Sequence, residues 1–144
     1  MCGIVGYTGP QSAFTPIVEG LRRLEYRGYD SAGIALGTGN SLFVEKRAGK
    51  LANLEAALPA NLPIVHSGIG HTRWATHGKP TENNAHPHIS GNVAIVHNGI
   101  IENYQELKDD LEALGYVFTS QTDTEVVAHL VKDALKSTPS LLEA

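Results

Sequence analysis

Cys2 is the first residue whose type and position together suggest chemistry. The residue after the initiator is small, so an aminopeptidase can remove Met1. Removal leaves a cysteine with a free α-amine, a group that titrates at about 7.7–8.0, far nearer neutrality than a lysine. One residue then carries a nucleophilic thiol and a base beside it, the logic of an N-terminal threonine nucleophile applied to sulfur. A second reading stands beside this one. Free cysteine is commonly buried, and Cys2 also fits a small apolar position in an N-terminal strand.

Three further groups carry functional side chains. The run His71-Thr72-Arg73-Trp74-Ala75-Thr76-His77-Gly78 is dense in them. Arg73 can grip a carboxylate through two parallel hydrogen bonds. Trp74 offers a flat lid over a small substrate, and Thr76 and His77 offer extra donors. The same run also reads as a strand end with a paired Arg and a packed Trp. His97-Asn98-Gly99 follows the apolar run Val93 to Val96. Strand, Asn, Gly is commonly a turn. It can also be an oxyanion hole, with the Asn98 side chain and the Gly99 backbone as donors. Asp123 opens the last helical stretch. There it stabilises the helix dipole, or it holds an ammonium group. An Arg and an Asp converging on one pocket would recognise the two charged ends of a free amino acid.

The seven histidines raise a metal reading, with His86-Pro87-His88 the tightest pair. No Cys pair, H-E-x-x-H or comparable ligand spacing accompanies it, and proline between them forbids a helical arrangement. The glycine-rich pieces lack dinucleotide or Walker spacing. Neither a metal nor another cofactor is expected.

These residues need elements to hold them. Cys2 to Tyr7 reads as a buried strand ended by Gly9 and Pro10. Pro16 to Leu24 has helical spacing at Ile17, Leu21 and Leu24. Ala32 to Leu36 and Leu42 to Val44 form a hairpin across Gly37-Thr38-Gly39-Asn40. Lys50 to Leu58 is a short helix. Gly68 to Trp74, Asn92 to Val96 and Val117-Phe118 read as strands. Glu102 to Leu114 is an amphipathic helix capped by Gly115. Thr122 to Lys136 is another, with Thr122 and Glu125 as a capping box. Strands come in antiparallel-looking groups with helices between the groups, which favours α+β over a doubly wound parallel sheet.

The chain has 144 residues, 42% hydrophobic and 18% charged, with a net charge of -4 and one cysteine. That suits one folded domain with no internal disulfide. No basic stripe points to nucleic acid; Arg22, Arg23, Lys46 and Arg47 are few and mixed with acids. No run of 18 apolar residues points to a membrane span, and no signal peptide is evident, so the cytosol is the expected compartment.

Together the motifs resemble the class II glutamine amidotransferases, whose catalytic domain is an N-terminal nucleophile hydrolase. The resemblance covers residues 2–6, 25–33, 71–78, 84–88, 97–103 and 122–126, almost the whole span of the chain. Within the class it is greatest to the branch that aminates fructose 6-phosphate. The Arg-Gly-x-Asp-Ser-Ala-Gly stretch is shared with amidophosphoribosyltransferases. Those would carry Tyr-Ser in place of Trp74-Ala75 and Gln in place of His86.

The resemblance implies a four-layer αββα sandwich with antiparallel sheets, truncated at its C-terminal end. Residues 1–144 would be an incomplete glutaminase domain, with two sugar-isomerase domains following in a longer, homo-oligomeric protein. Those domains would bind fructose 6-phosphate. Cys2 would attack the glutamine amide, and Asn98 and Gly99 would hold the oxyanion. Arg73 would bind the glutamine carboxylate and Asp123 its ammonium. Trp74, Thr76 and His77 would lie in a closing loop, and Arg27 and Asp30 would support the site. Two alternatives stay open: an amidophosphoribosyltransferase or another ammonia-channelling synthase, and a non-catalytic fragment whose motifs are idle.

Overall fold

The structure is a computed structural model that describes residues 1–74, 79–138 and 140–144. The elements run β1 (Gly3–Thr8), α1 (Phe14–Leu24), a 3-10 turn (Glu25–Arg27), β2 (Ser31–Gly37), β3 (Leu42–Ala48), α2 (Leu51–Ala57) and β4 (Ser67–Arg73). Then come β5 (His88–Ser90), β6 (Val93–Ile95), α3 (Tyr104–Ala113) and α4 (Glu125–Ala134). The first four strands form one sheet in the order β1-β4-β2-β3, and β5 pairs with β6 in a second. Every pairing is antiparallel.

Side chains alternate across a strand, so each sheet face can be assigned from its neighbours. Ala32, Ile34 and Leu36 of β2 join Ile17 and Leu21 of α1 and Leu51 and Leu54 of α2 in one buried cluster. The opposite face carries Ala35 and Ile69. It looks across an apolar groove of about 700 Å³ toward Val93, Ala94 and Ile95 of β6. Helix α4 packs on β5 and β6, and α3 packs on α4. The layers therefore run helix, sheet, sheet, helix, as the α+β expectation has it.

The helical and hairpin expectations hold, with ends shifted by up to four residues. Gly115 lies in the left-handed region at φ 91°, where it closes α3 with its N–H donating to the Glu112 carbonyl. Two details differ. Val117 and Phe118 have no ladder partner; Phe118 instead sets its ring edge-on to His129 at 4.6 Å. Thr122 and Glu125 make no capping box. Helix α4 starts later, with Thr124 at its N-cap and no side-chain cap bond. The Glu125 carboxylate turns back to the N–H groups of Thr119 (2.8 Å) and Ser120 (2.7 Å) and to both of their hydroxyls. Four donors outbid a single capping bond for a buried acid.

Leu21 is fully buried between α1 and the sheet, whereas Val117 is 76% exposed. Leu21→Ala should cost about 2–5 kcal/mol of unfolding free energy. Val117→Ala should stay within about 0.5 kcal/mol. Urea unfolding of the two variants checks this; equal effects would show that the α1 interface is not the core.

Candidate active site

The site forms at one end of the larger sheet. Gly3 pairs with Thr72, which puts Cys2 beside Arg73 and Trp74. Alternation points Thr72 toward α1 and sends His71 and Arg73 to the opposite face. The Trp74 N–H donates to Cys2 Sγ at 3.3 Å, and the thiol faces the Trp74 carbonyl at 3.7 Å. The main chain of Trp74 thus brackets the sulfur. Its indole is 44% exposed and meets the Tyr29 ring edge-on at 5.6 Å.

The turn after α1 presses on the same point. A Cβ at Gly28 would lie 2.7 Å from the Arg73 carbonyl carbon and 3.0 Å from Trp74 N, so no larger residue fits. Two residues later the Asp30 N–H donates to the Arg73 carbonyl at 3.0 Å. Arg27 Nη2 donates to Met1 Sδ at 3.5 Å. Gly28 and Asp30 thus back the Arg73–Trp74 main chain beside Cys2, whereas the contact of Arg27 is with Met1.

A cleft of about 360 Å³ opens here, lined by Cys2, Arg73, Trp74, Asn98, Gly99 and Asp123. That is the small end of the roughly 300–1,000 Å³ range of small-molecule sites. All six were expected from the sequence to share a site. Thr76 and His77 lie outside the described residues. Asn98 and Gly99 are exposed to the cleft, and Asn98 Nδ2 donates to the Cys2 carbonyl at 3.4 Å. Arg73 is 4% exposed and gives one N–H to the Lys79 carbonyl at 3.2 Å. Burial pulls its guanidinium below the ordinary arginine range, while the nearby Cys2, Asp30 and Asp123 pull it back. Asp123 accepts the Ile101 N–H at 2.7 Å.

His86, His97 and Thr124 also line the cleft, and the sequence reading missed them as site residues. It weighed His86-Pro87-His88 as a metal pair and gave only His77 among the histidines a place over the substrate. Among the described residues no group of three His, Cys, Asp or Glu side chains is arranged to hold a metal. The histidines stack instead: His71 lies on His86 at 4.2 Å, and His88 meets His86 edge-on at 4.6 Å. The available signal was the two-residue spacing of His71 and Arg73, which puts both on one strand face.

A family model for the glutamine amidotransferase domain matches residues 71–143. The chain belongs to the glutamine amidotransferase domain family. Over 144 residues it is 65% identical to the glutamine–fructose-6-phosphate aminotransferase (isomerizing) of Acinetobacter baylyi, covering all of this chain and 24% of that one. The enzyme of the same name from Helicobacter pylori is 57% identical over all of this chain and 24% of its own length. That of Mycobacterium tuberculosis is 56% identical over 94% of this chain and 23% of its own. The chain thus spans about a quarter of the length of these relatives.

Among solved structures, the glutamine phosphoribosylpyrophosphate amidotransferase of B. subtilis superposes with a TM-score of 0.76 at 34% identity, over 91% of this chain and 29% of that one. The layered α+β arrangement is therefore that of a known amidotransferase domain. Among the described residues no helix is long and apolar enough to cross a membrane.

The buried histidines give this glutamine amidotransferase domain a pH dependence. Burial, the largest cause, lowers His71 and His88 to about 4, against an ordinary 6.5. Between those values the unfolded chain binds protons that the native state does not, so stability falls as pH drops from about 6.5 toward 4. Each ring contributes up to about 3 kcal/mol by the end of that window. Burial alone would raise the Glu125 carboxyl, but its hydrogen bonds, Ser120 first, hold it below its ordinary 4.5. Its loss of stability therefore lies below about 4.5. A urea midpoint that stays flat between pH 7 and pH 5 would contradict buried, neutral rings.

Proposed function

We propose that this chain is the glutamine-hydrolysing part of a longer enzyme that makes glucosamine 6-phosphate from fructose 6-phosphate. The observation that carries the reading is the meeting in one cleft of a cysteine at position 2, an amide donor and an Arg–Asp pair. Cys2, Asn98, Gly99, Arg73 and Asp123 together line it. Identities of 56–65% to the aminotransferases, against 34% to the phosphoribosylpyrophosphate amidotransferase, favour fructose 6-phosphate as the acceptor.

The chemistry follows from the groups. Removal of Met1 frees the Cys2 α-amine, which takes the thiol proton. The thiolate attacks the side-chain amide carbon of glutamine, forming a C–S bond while the C=O electrons move to oxygen. The Asn98 side chain and the Gly99 N–H stabilise that oxyanion. The α-ammonium returns the proton to the amide nitrogen, the C–N bond breaks and ammonia leaves. Water then attacks the thioester, with the amine again as base, and glutamate departs with the thiol restored.

Arg73 binds the substrate carboxylate and Asp123 its ammonium, so a free amino acid is held at both ends. Trp74, Thr76 and His77 cover it. Residues 1–144 form part of a larger glutaminase domain. Later domains bind the sugar phosphate, and the full-length protein is a cytosolic homo-oligomer. The 24% share of the relatives' length supports this extent.

In the full-length protein, Cys2→Ala should abolish both glutamine hydrolysis and sugar amination from glutamine. Retained hydrolysis would end the assignment. Asn98→Ala should lower kcat by about 10²–10³ with little change in KM. Arg73→Lys should raise KM for glutamine, because a point charge replaces a bidentate fork. Intact-protein mass should show Met1 absent from active enzyme; full activity with Met1 retained would remove the proposed base.

A further inference from the structure

The donors proposed for the oxyanion, Asn98 and Gly99, sit on a segment with no ladder of its own. Strand β6 ends at Ile95, and residues 96–101 belong to no helix or strand. Donors of this kind need positions fixed to about 0.5 Å. Side chains rather than strand pairing supply that restraint here.

His97 is the residue they hold. Its carbonyl lies 3.2 Å from His71 Nε2, and its N–H donates to His86 Nδ1 at 3.3 Å. Both backbone groups of one residue are thus taken by two histidine rings, which stack at 4.2 Å with 14° between their planes. The His97 carbonyl shares a peptide plane with the Asn98 N–H. Fixing that carbonyl therefore fixes the plane from which Asn98 departs.

The hydrogen-bond chemistry assigns the tautomers. A carbonyl only accepts, so His71 carries its proton on Nε2. A peptide N–H only donates, so His86 Nδ1 is bare. His71 Nδ1 is then an acceptor, buried without a hydrogen-bond partner among the described residues. A buried acceptor left unpaired costs free energy. Tolerating it is consistent with the ring being set by what its other nitrogen holds. The ring of His97 is fixed in turn by the Thr124 hydroxyl at 3.1 Å from Nδ1.

We propose that His71 and His86 are positioning residues that hold the His97 backbone and thereby aim the oxyanion donors Asn98 and Gly99. The inference rests on the oxyanion reading given above. His71 is fully buried and does not line the cleft, so its effect must pass through His97. Burial keeps both rings well below the ordinary histidine range, and so neutral at pH 7.

The test is steady-state glutaminase kinetics of His71→Phe and His71→Gln in the full-length protein, beside Asn98→Ala. Phenylalanine keeps a flat ring but cannot donate to the carbonyl; the glutamine amide can. His71→Phe should lower kcat about 10- to 100-fold, the size of effect that a 1 Å misplacement produces. KM for glutamine should stay within about twofold, because Arg73 and Asp123 are untouched. His71→Gln should recover most of the loss.

A γ-aldehyde analogue of glutamine, whose thiol adduct carries the oxyanion, should bind His71→Phe more weakly by a factor similar to the kcat loss. Equal kcat in wild type and His71→Phe, or an equal loss in the Phe and Gln variants, would overturn the proposal. If His71→Phe does not fold, His86→Phe against His86→Gln replaces it, with the same pattern required. Should Asn98→Ala itself keep full kcat, the oxyanion reading falls first and this inference with it. Should Asn98→Ala fail while His71→Phe is active, the positioning role alone is wrong.

Discussion

The antiparallel pairing of β1 with β4 is the constraint on which the site depends. Its register, Gly3 opposite Thr72, brings residue 2 and residue 73 side by side although 70 residues separate them in the chain. Side-chain direction in a strand has period two, so a slip of one residue would send Arg73 toward α1 and Thr72 into the cleft. The α1 face of the sheet prevents the slip. Ile17 and Leu21 fill the space above Gly68 and Gly70, where no side chain competes. Core packing on one face thus sets the chemistry on the other.

Electrostatics divide the site into two zones. At the cleft stand charges of opposite sign, Arg73 and Asp123, near enough for the carboxylate to favour the charged guanidinium. Behind them lies a layer of neutral, stacked imidazoles. Charged rings there would face desolvation and repulsion from Arg73, whereas neutral rings can still donate from one nitrogen and accept at the other. Histidine suits this layer because it is flat enough to stack and polar enough to hold a backbone.

Much of this was legible in the residues themselves. Cys2, Arg73, Asn98 and Asp123 were readable because each is a functional type at the end of a strand or the start of a helix. Local pattern marked those ends well: the apolar run Val93 to Val96 and the glycine after Leu114 both did so. What stayed hidden depended on contacts distant in sequence. Thr122 and Glu125 have capping-box spacing, yet Thr122 bonds His88 at 2.8 Å, and Glu125 serves the turn before it. Val117-Phe118 has β propensity, but Phe118 found a ring on α4 rather than a strand. The histidines were visible as a composition and opaque as a layer, because their stacking joins β4 to the 86–88 segment and their hydrogen bonds reach the backbone of residue 97.

The turn before α4 shows how a buried charge can replace a strand as an organiser. Glu125 gathers the Thr119 and Ser120 donors, which curls residues 119–124 against the start of the helix. Asn84 ties the same turn to the opposite wall: its Oδ1 accepts the Gln121 N–H at 2.8 Å, and its Nδ2 donates to the Lys79 carbonyl at 3.0 Å. That carbonyl is also the one that Arg73 holds. Asp123, carried on this turn, uses one carboxylate oxygen to restrain Ile101, three residues beyond Asn98. The proposed anchors, Arg73 and Asp123, and the segment bearing the proposed oxyanion donors are therefore tied together by hydrogen bonds. Under the proposed mechanism, a ligand that draws Asp123 inward also pulls on the segment bearing Asn98 and Gly99. Binding energy from the non-reacting end of the substrate can in this way act at the reacting carbon.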